Sequence, residues 1–141
     1  MLLRKCALLL VCLPLLFACE NVGPDAVNLQ LDFSWGRHPG ENRQNPEIRV
    51  TGIPDGTRSL EVQLNDLDVP FPGHGDAEIV PYEGTGVVAR GCLKQYLGPS
   101  PPRREGHAGN RYEFTVRALD ENGRVLGIGK RMKRCCPETA S

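Results

Sequence analysis

The sequence predicts an all-β fold, and three observations carry that prediction. Apolar and polar residues alternate over residues 60–65 and again over 111–119, the period of a strand with one buried face. Asp120-Glu121-Asn122-Gly123 separates the second of these runs from another apolar run at 125–130, and Asn-Gly suits the positive φ of a hairpin turn. The chain holds 16 glycines and 12 prolines in 141 residues and shows no long stretch of helical period, so short strands joined by turns are expected, with little or no helix after the leader.

The leader comes first. Arg4 and Lys5 precede an almost wholly apolar run over 6–17, the pattern of a secretory signal, too short for a comfortable membrane span. Ala18-Cys19 at its end looks like a bacterial lipobox, so residues 1–18 are expected to be cleaved and Cys19 acylated; an ordinary signal peptide without lipid is the alternative. Glu20 follows, not an aspartate, which points to the outer membrane and a periplasm-facing protein of the bacterial envelope. Residues 19–26 read as a tether and 27–141 as one domain, long enough for one core and too short for two. Cleavage removes two basic residues and no acid, taking the formal net charge from 0 to −2, which gives no electrostatic reason to expect a nucleic-acid partner.

Within the domain, Val27, Leu29, Leu31 and Phe33 alternate with polar residues as a first strand, and the lone Trp35 reads as a core or rim plug. Residues 36–46 are loop-like, 47–51 a short strand, and Pro54-Asp55-Gly56-Thr57 a strong turn. The central strand carries Leu60, Val62 and Leu64 on one face and Glu61, Gln63 and Asn65 on the other. It ends at Asp66-Leu67-Asp68-Val69-Pro70, because Pro70 and Pro72 cannot donate to a ladder. Asp66 and Asp68, two apart, would lie on one side of an extended backbone, with His74 close behind. Residues 77–80 suggest another strand, 85–92 are punctuated by glycine, and 98–102 form a rigid proline loop. On the clearest strand, Tyr112, Phe114, Val116 and Ala118 face one way and Glu113, Thr115, Arg117 and Leu119 the other. The basic run at 130–134 after the last strand reads as a solvated edge. Tyr82 and Tyr96 carry no signal beyond packing.

Of six cysteines, Cys6 and Cys12 leave with the leader and Cys19 is spoken for by lipid, leaving Cys92, Cys135 and Cys136 as disulfide candidates in an oxidising compartment. Cys92 with Cys135 or Cys136 is the expected bridge, a vicinal one being strained. Three cysteines without a Cys-x-x-Cys pair do not make a zinc site, so no metal and no cofactor is expected.

Three segments in order resemble the phosphatidylethanolamine-binding protein family, and more closely its bacterial Raf-kinase-inhibitor-like (YbhB/YbcL-type) branch. They are Asn45-Pro46-Glu47-Ile48-Arg49-Val50 with Ile53-Pro54-Asp55-Gly56-Thr57-Arg58-Ser59-Leu60; Asp66-Leu67-Asp68-Val69-Pro70 with His74; and Gly98-Pro99-Ser100-Pro101-Pro102 followed by Arg111-Tyr112-Glu113-Phe114-Thr115-Val116. The resemblance implies an antiparallel β-sandwich with a small pocket for an anionic head group. Asp66, Asp68, His74, Pro101, Pro102 and Tyr112 would line it, with His107 the histidine nearest to Arg-Tyr. Four positions depart from the family pattern. Leu67 replaces the proline between the acids, Gly73 and Gly75 replace the aromatics beside the histidine, and Asn110 replaces the histidine directly before Arg-Tyr.

The function expected is that of a lipid-anchored binding protein for a small anion or phospholipid head group, with a protein partner as a further option. A hydrolytic set of Asp66, Asp68, His74 and His107 finds no Gly-x-Ser-x-Gly or His-Glu-x-x-His beside it, so no enzyme and no catalytic residue is expected. The alternative is a structural or adhesion module resembling fibronectin type III domains, which residues 112–120 also resemble; it gives the acid pair and the proline loop no role.

Overall fold

A computed structural model describes residues 22–37, 39–69, 74–99 and 109–135. Eight strands appear in it: β1 Val22–Asn28, β2 Gln30–Phe33, β3 Ile48–Thr51, β4 Ser59–Asp66, β5 Glu78–Pro81, β6 Val87–Val88, β7 Arg111–Leu119 and β8 Val125–Arg134. One 3-10 turn, Pro39–Arg43, interrupts them, and no helix among the described residues is long and apolar enough to cross a membrane. The strands form a five-stranded sheet in the order β1-β8-β7-β4-β5 and a three-stranded sheet in the order β2-β3-β6.

Alternation in sequence becomes burial in space. β4 and β7 run antiparallel with Leu60 opposite Ala118, Val62 opposite Val116 and Leu64 opposite Phe114, so their apolar faces coincide. Tyr112, Phe114, Val116 and Ala118 are fully buried, as the sequence predicts. The smaller sheet supplies Leu31, Phe33, Ile48, Val50 and Val88 to the same core. Phe33 meets Phe114 edge to face at 4.9 Å, and Trp35 packs on Tyr112 and Phe114 as the expected plug. The opposite face of the larger sheet mixes polar and apolar side chains, with Arg117 Nη1 bonded to Glu61 Oε1 at 2.7 Å and Ile79 and Met132 exposed beside them. Both predicted turns form: Thr57 Oγ1 donates to the Pro54 carbonyl at 2.8 Å, and the Asp120 carboxylate accepts from the Asn122 and Arg124 amides.

Three expectations are corrected. Part of the expected tether is strand: β1 begins at Val22 and runs parallel to β8, because the edge of β8 offers backbone groups that a polar segment can satisfy. The last strand runs to Arg134 rather than ending at Lys130, held by the ladder to β7, while its exposed Lys130, Arg131, Met132 and Arg134 form the expected solvated edge. Cys92 is free and therefore bridges neither Cys135 nor Cys136. It sits half-buried against the core, with its amide bonded to the Ala89 carbonyl. Cys135 is disulfide-bonded to a partner outside the described residues, where Cys136 and Cys19 also lie.

Candidate functional site

β4 ends at Asp66, directly opposite Tyr112 of β7. The Asp66 side chain folds back on the chain that follows it: Oδ1 accepts the Asp68 amide at 2.9 Å and the Val69 amide at 3.0 Å. That carboxylate cap bends the backbone out of the strand. The two acids consequently do not share a face. Asp66 points inward with its side chain 2 % exposed, while Asp68 turns outward onto Arg111. Asp68 accepts the Arg111 amide at 2.7 Å on one oxygen and Nε and Nη2 at 2.8 and 2.6 Å on the other.

His74 completes the inner group. Its ring lies edge-on to Tyr112 at 5.1 Å and is one-tenth exposed. Nδ1 lies 2.7 Å from the Gly98 carbonyl and Nε2 lies 3.4 Å from Asp66 Oδ2. Carbonyl and carboxylate oxygens only accept, so the ring satisfies both neighbours when each nitrogen carries a hydrogen. The Nε2 contact is long for a hydrogen bond, which leaves that N–H as the donor an incoming acceptor can recruit. The Leu97 amide donates to the His74 carbonyl at 3.2 Å, and a Cβ at Gly75 would run into the Gln95 carbonyl. Gly75, at a φ of 109°, thus has no room for a side chain, because the loop over 94–98 presses directly on its backbone.

Asn110, a position where the sequence departs from the family, is part of the group. Its Nδ2 donates to Asp66 Oδ2 at 2.9 Å. Burial raises the Asp66 carboxyl, but the bonds from Asn110, Asp68 and Val69 and the charge of His74 together outweigh it and hold the group below the ordinary carboxylate value. At Asp68 the Arg111 side chain has the same sense, and it draws the Arg111 guanidinium up in turn.

The structure therefore brings Asp66, His74 and Tyr112 together and sets Asp68 apart. Pro101, Pro102 and His107 lie outside the described residues. Sequence reasoning missed Asn110, Arg111 and the Gly98 carbonyl; an amide donor in the histidine's place was the visible signal for the first. Among the described residues no three His, Cys, Asp or Glu side chains converge to hold a metal ion. A cavity of about 310 Å³ opens at the other end of the larger sheet, lined by Asp55, Gly56, Arg58, Asp120, Glu121 and Leu126. Its three acids against one arginine do not suit an anion.

Comparison with known proteins bears on this group. The family model described as phosphatidylethanolamine-binding protein matches residues 13–135. Among solved structures, the chain is similar to a crystal structure described as a phosphatidylethanolamine-binding protein homologue from Chlamydia trachomatis, at 22 % identity over 76 % of this chain and 96 % of that one, with a TM-score of 0.52. At that identity the likeness is one of fold. No curated protein matches the chain.

Proposed function

The chain belongs to the phosphatidylethanolamine-binding protein family, and from that premise we propose that it is a lipid-anchored, periplasm-facing binding protein that takes the phosphate of a small anion or a phospholipid head group at the Asp66–His74–Tyr112 group. The three motif segments in order support its bacterial Raf-kinase-inhibitor-like branch. The arrangement of His74 carries the reading. The Nδ1 side of the ring is fixed by the Gly98 carbonyl while Nε2 meets Asp66 only at 3.4 Å, so a hydrogen on Nε2 is held loosely enough to be drawn toward a phosphate oxygen. Asn110, with one amide hydrogen on Asp66, has a second to offer. Asp66 is internally satisfied and serves to hold these donors rather than to meet the ligand.

Titration with inorganic phosphate and with glycerophosphoethanolamine, followed through the His74 imidazole by NMR, tests this. Saturable shifts of the His74 signals are expected in wild type, together with backbone amide shifts around Asp66 and Tyr112 that vanish in His74→Gln. Unmoved His74 signals at millimolar concentrations of both compounds would overturn the reading.

A further inference from the structure

Three large apolar side chains left in solvent belong to the two segments that hold His74. The ring lies between those segments: Nε2 faces Asp66, at the end of β4, and Nδ1 meets the Gly98 carbonyl. Leu67 follows Asp66 directly and is 40 % exposed, and Val69, whose amide is held by Asp66 Oδ1, is 48 % exposed. Leu97 precedes Gly98 and donates its amide to the His74 carbonyl; at 69 % it is the most exposed large apolar side chain among the described residues. Single apolar side chains in solvent are ordinary, but three of them on the two segments that clasp one histidine are not scattered. The same border is basic. Arg111 binds Asp68 and, with Arg134 near, keeps that carboxyl below its ordinary value, so two guanidinium groups stand against one acid there. At the other end of the larger sheet three acids stand against one arginine around the 310 Å³ cavity.

We propose that this border is a docking face for an anionic lipid surface, with Leu67, Val69 and Leu97 entering the boundary between head groups and acyl chains around a head-group phosphate at His74. This rests on the anion-site reading above and goes beyond it by naming where the phosphate is met. A free anion needs donors and gains nothing from an apolar border. A phosphate in a bilayer has hydrocarbon beneath it and other head groups beside it. Apolar side chains then gain by leaving water, and guanidinium groups gain from the neighbouring charges. A protein partner suits the face less well. Stable protein interfaces bury roughly 20–30 residues a side around an apolar centre, whereas here the apolar side chains are few and the centre is charged.

The test uses the processed chain, residues 19–141, with Cys19→Ser so that no acyl group takes part. It is sedimented with vesicles of equal parts phosphatidylethanolamine and phosphatidylglycerol, beside the same chain carrying Val69→Ser and Leu97→Ser. Both proteins are also titrated with inorganic phosphate, read at the His74 imidazole by NMR. The parent should bind the vesicles and the double variant about tenfold or more weakly, the size expected when two apolar side chains no longer leave water. The phosphate response should be the same in both, and vesicles of phosphatidylcholine alone should bind the parent weakly. Leu97→Ser alone takes the place of the double variant if the latter does not fold. Equal vesicle binding by parent and variant, or equal binding to phosphatidylcholine, overturns the docking face. So does absence of vesicle binding by a parent whose His74 responds to phosphate, and in each of these cases the anion site stands. Vesicle binding that needs Val69 and Leu97 while His74 ignores phosphate keeps the docking face and ends the anion reading.

Discussion

Asp66 closes β4 with a carboxylate that accepts from the amides of Asp68 and Val69 and from Asn110, with His74 beside it. Replacing it by asparagine turns an acceptor oxygen into a donor that faces Asn110 and His74. The partners left unpaired should lower stability by about 2 kcal/mol, read as a shift in the denaturation midpoint at pH 7. A pH dependence follows from the same bonds. Because the folded-state pKa lies below the unfolded one, the unfolded chain binds more protons between the two values. The stabilisation is therefore complete above the unfolded carboxylate range, about pH 4, and is lost as pH falls through the folded value. Denaturation midpoints between pH 5 and 2 should fall steeply in wild type and less steeply in Asp66→Asn. Parallel slopes would deny Asp66 its share. Asp68 shows how far residue-level reading reached. Its place just past the strand end was legible, but its direction was not, because the bend that turns it outward is made by the preceding carboxylate rather than by its own spacing.

At the scale of the element, the strands that alternate were readable and those that do not were not. β4 and β7 have one apolar and one polar face, and their register follows from matching those faces. β1, with Pro24, Asp25 and an irregular register, has no such pattern, and its place is decided by a vacant edge elsewhere in the chain. β8 carries its own constraint. Gly129 faces the core, and a Cβ there would lie 2.7 Å from the Leu29 carbonyl and 2.8 Å from its Cβ; at Gly127 the nearest atom is a Leu29 methyl at 2.9 Å. A side-chain end can move and a backbone carbonyl cannot without disturbing β1. Gly129→Ala should therefore cost about 1–3 kcal/mol and Gly127→Ala less, measured as loss of thermal midpoint. The reverse order would mean that β1 yields more easily than Leu29 does.

Over the whole molecule, cysteine chemistry and the ends of the chain are what spacing could not convey. Three cysteines can pair in several ways, and the structure leaves Cys92 unpaired against the core. Burial, reinforced by the Glu78 charge, raises its thiol, so little thiolate is present at neutral pH. Native protein should resist iodoacetamide at Cys92 and be labelled there on unfolding. A non-reduced peptide map that shows Cys92 linked would overturn this.

The last consequence concerns where the proposed anchor sits. Val22 lies beside Val125, at the end of the larger sheet that carries the Asp120 turn. Tyr112 of the site lies beside Lys133, eight residues farther along β8, or about 27 Å away. Cys19 is three residues before Val22 and reaches at most about 11 Å from it. Acylation at Cys19 would hold the opposite end of the larger sheet and could not contribute to the His74 site. Cys19→Ser should therefore move the protein from the membrane to the soluble fraction while leaving its phosphate affinity unchanged. Unaltered partitioning would remove the anchor, whereas released protein with weakened binding would mean that the N-terminus lies nearer the site than the β1–β8 register places it.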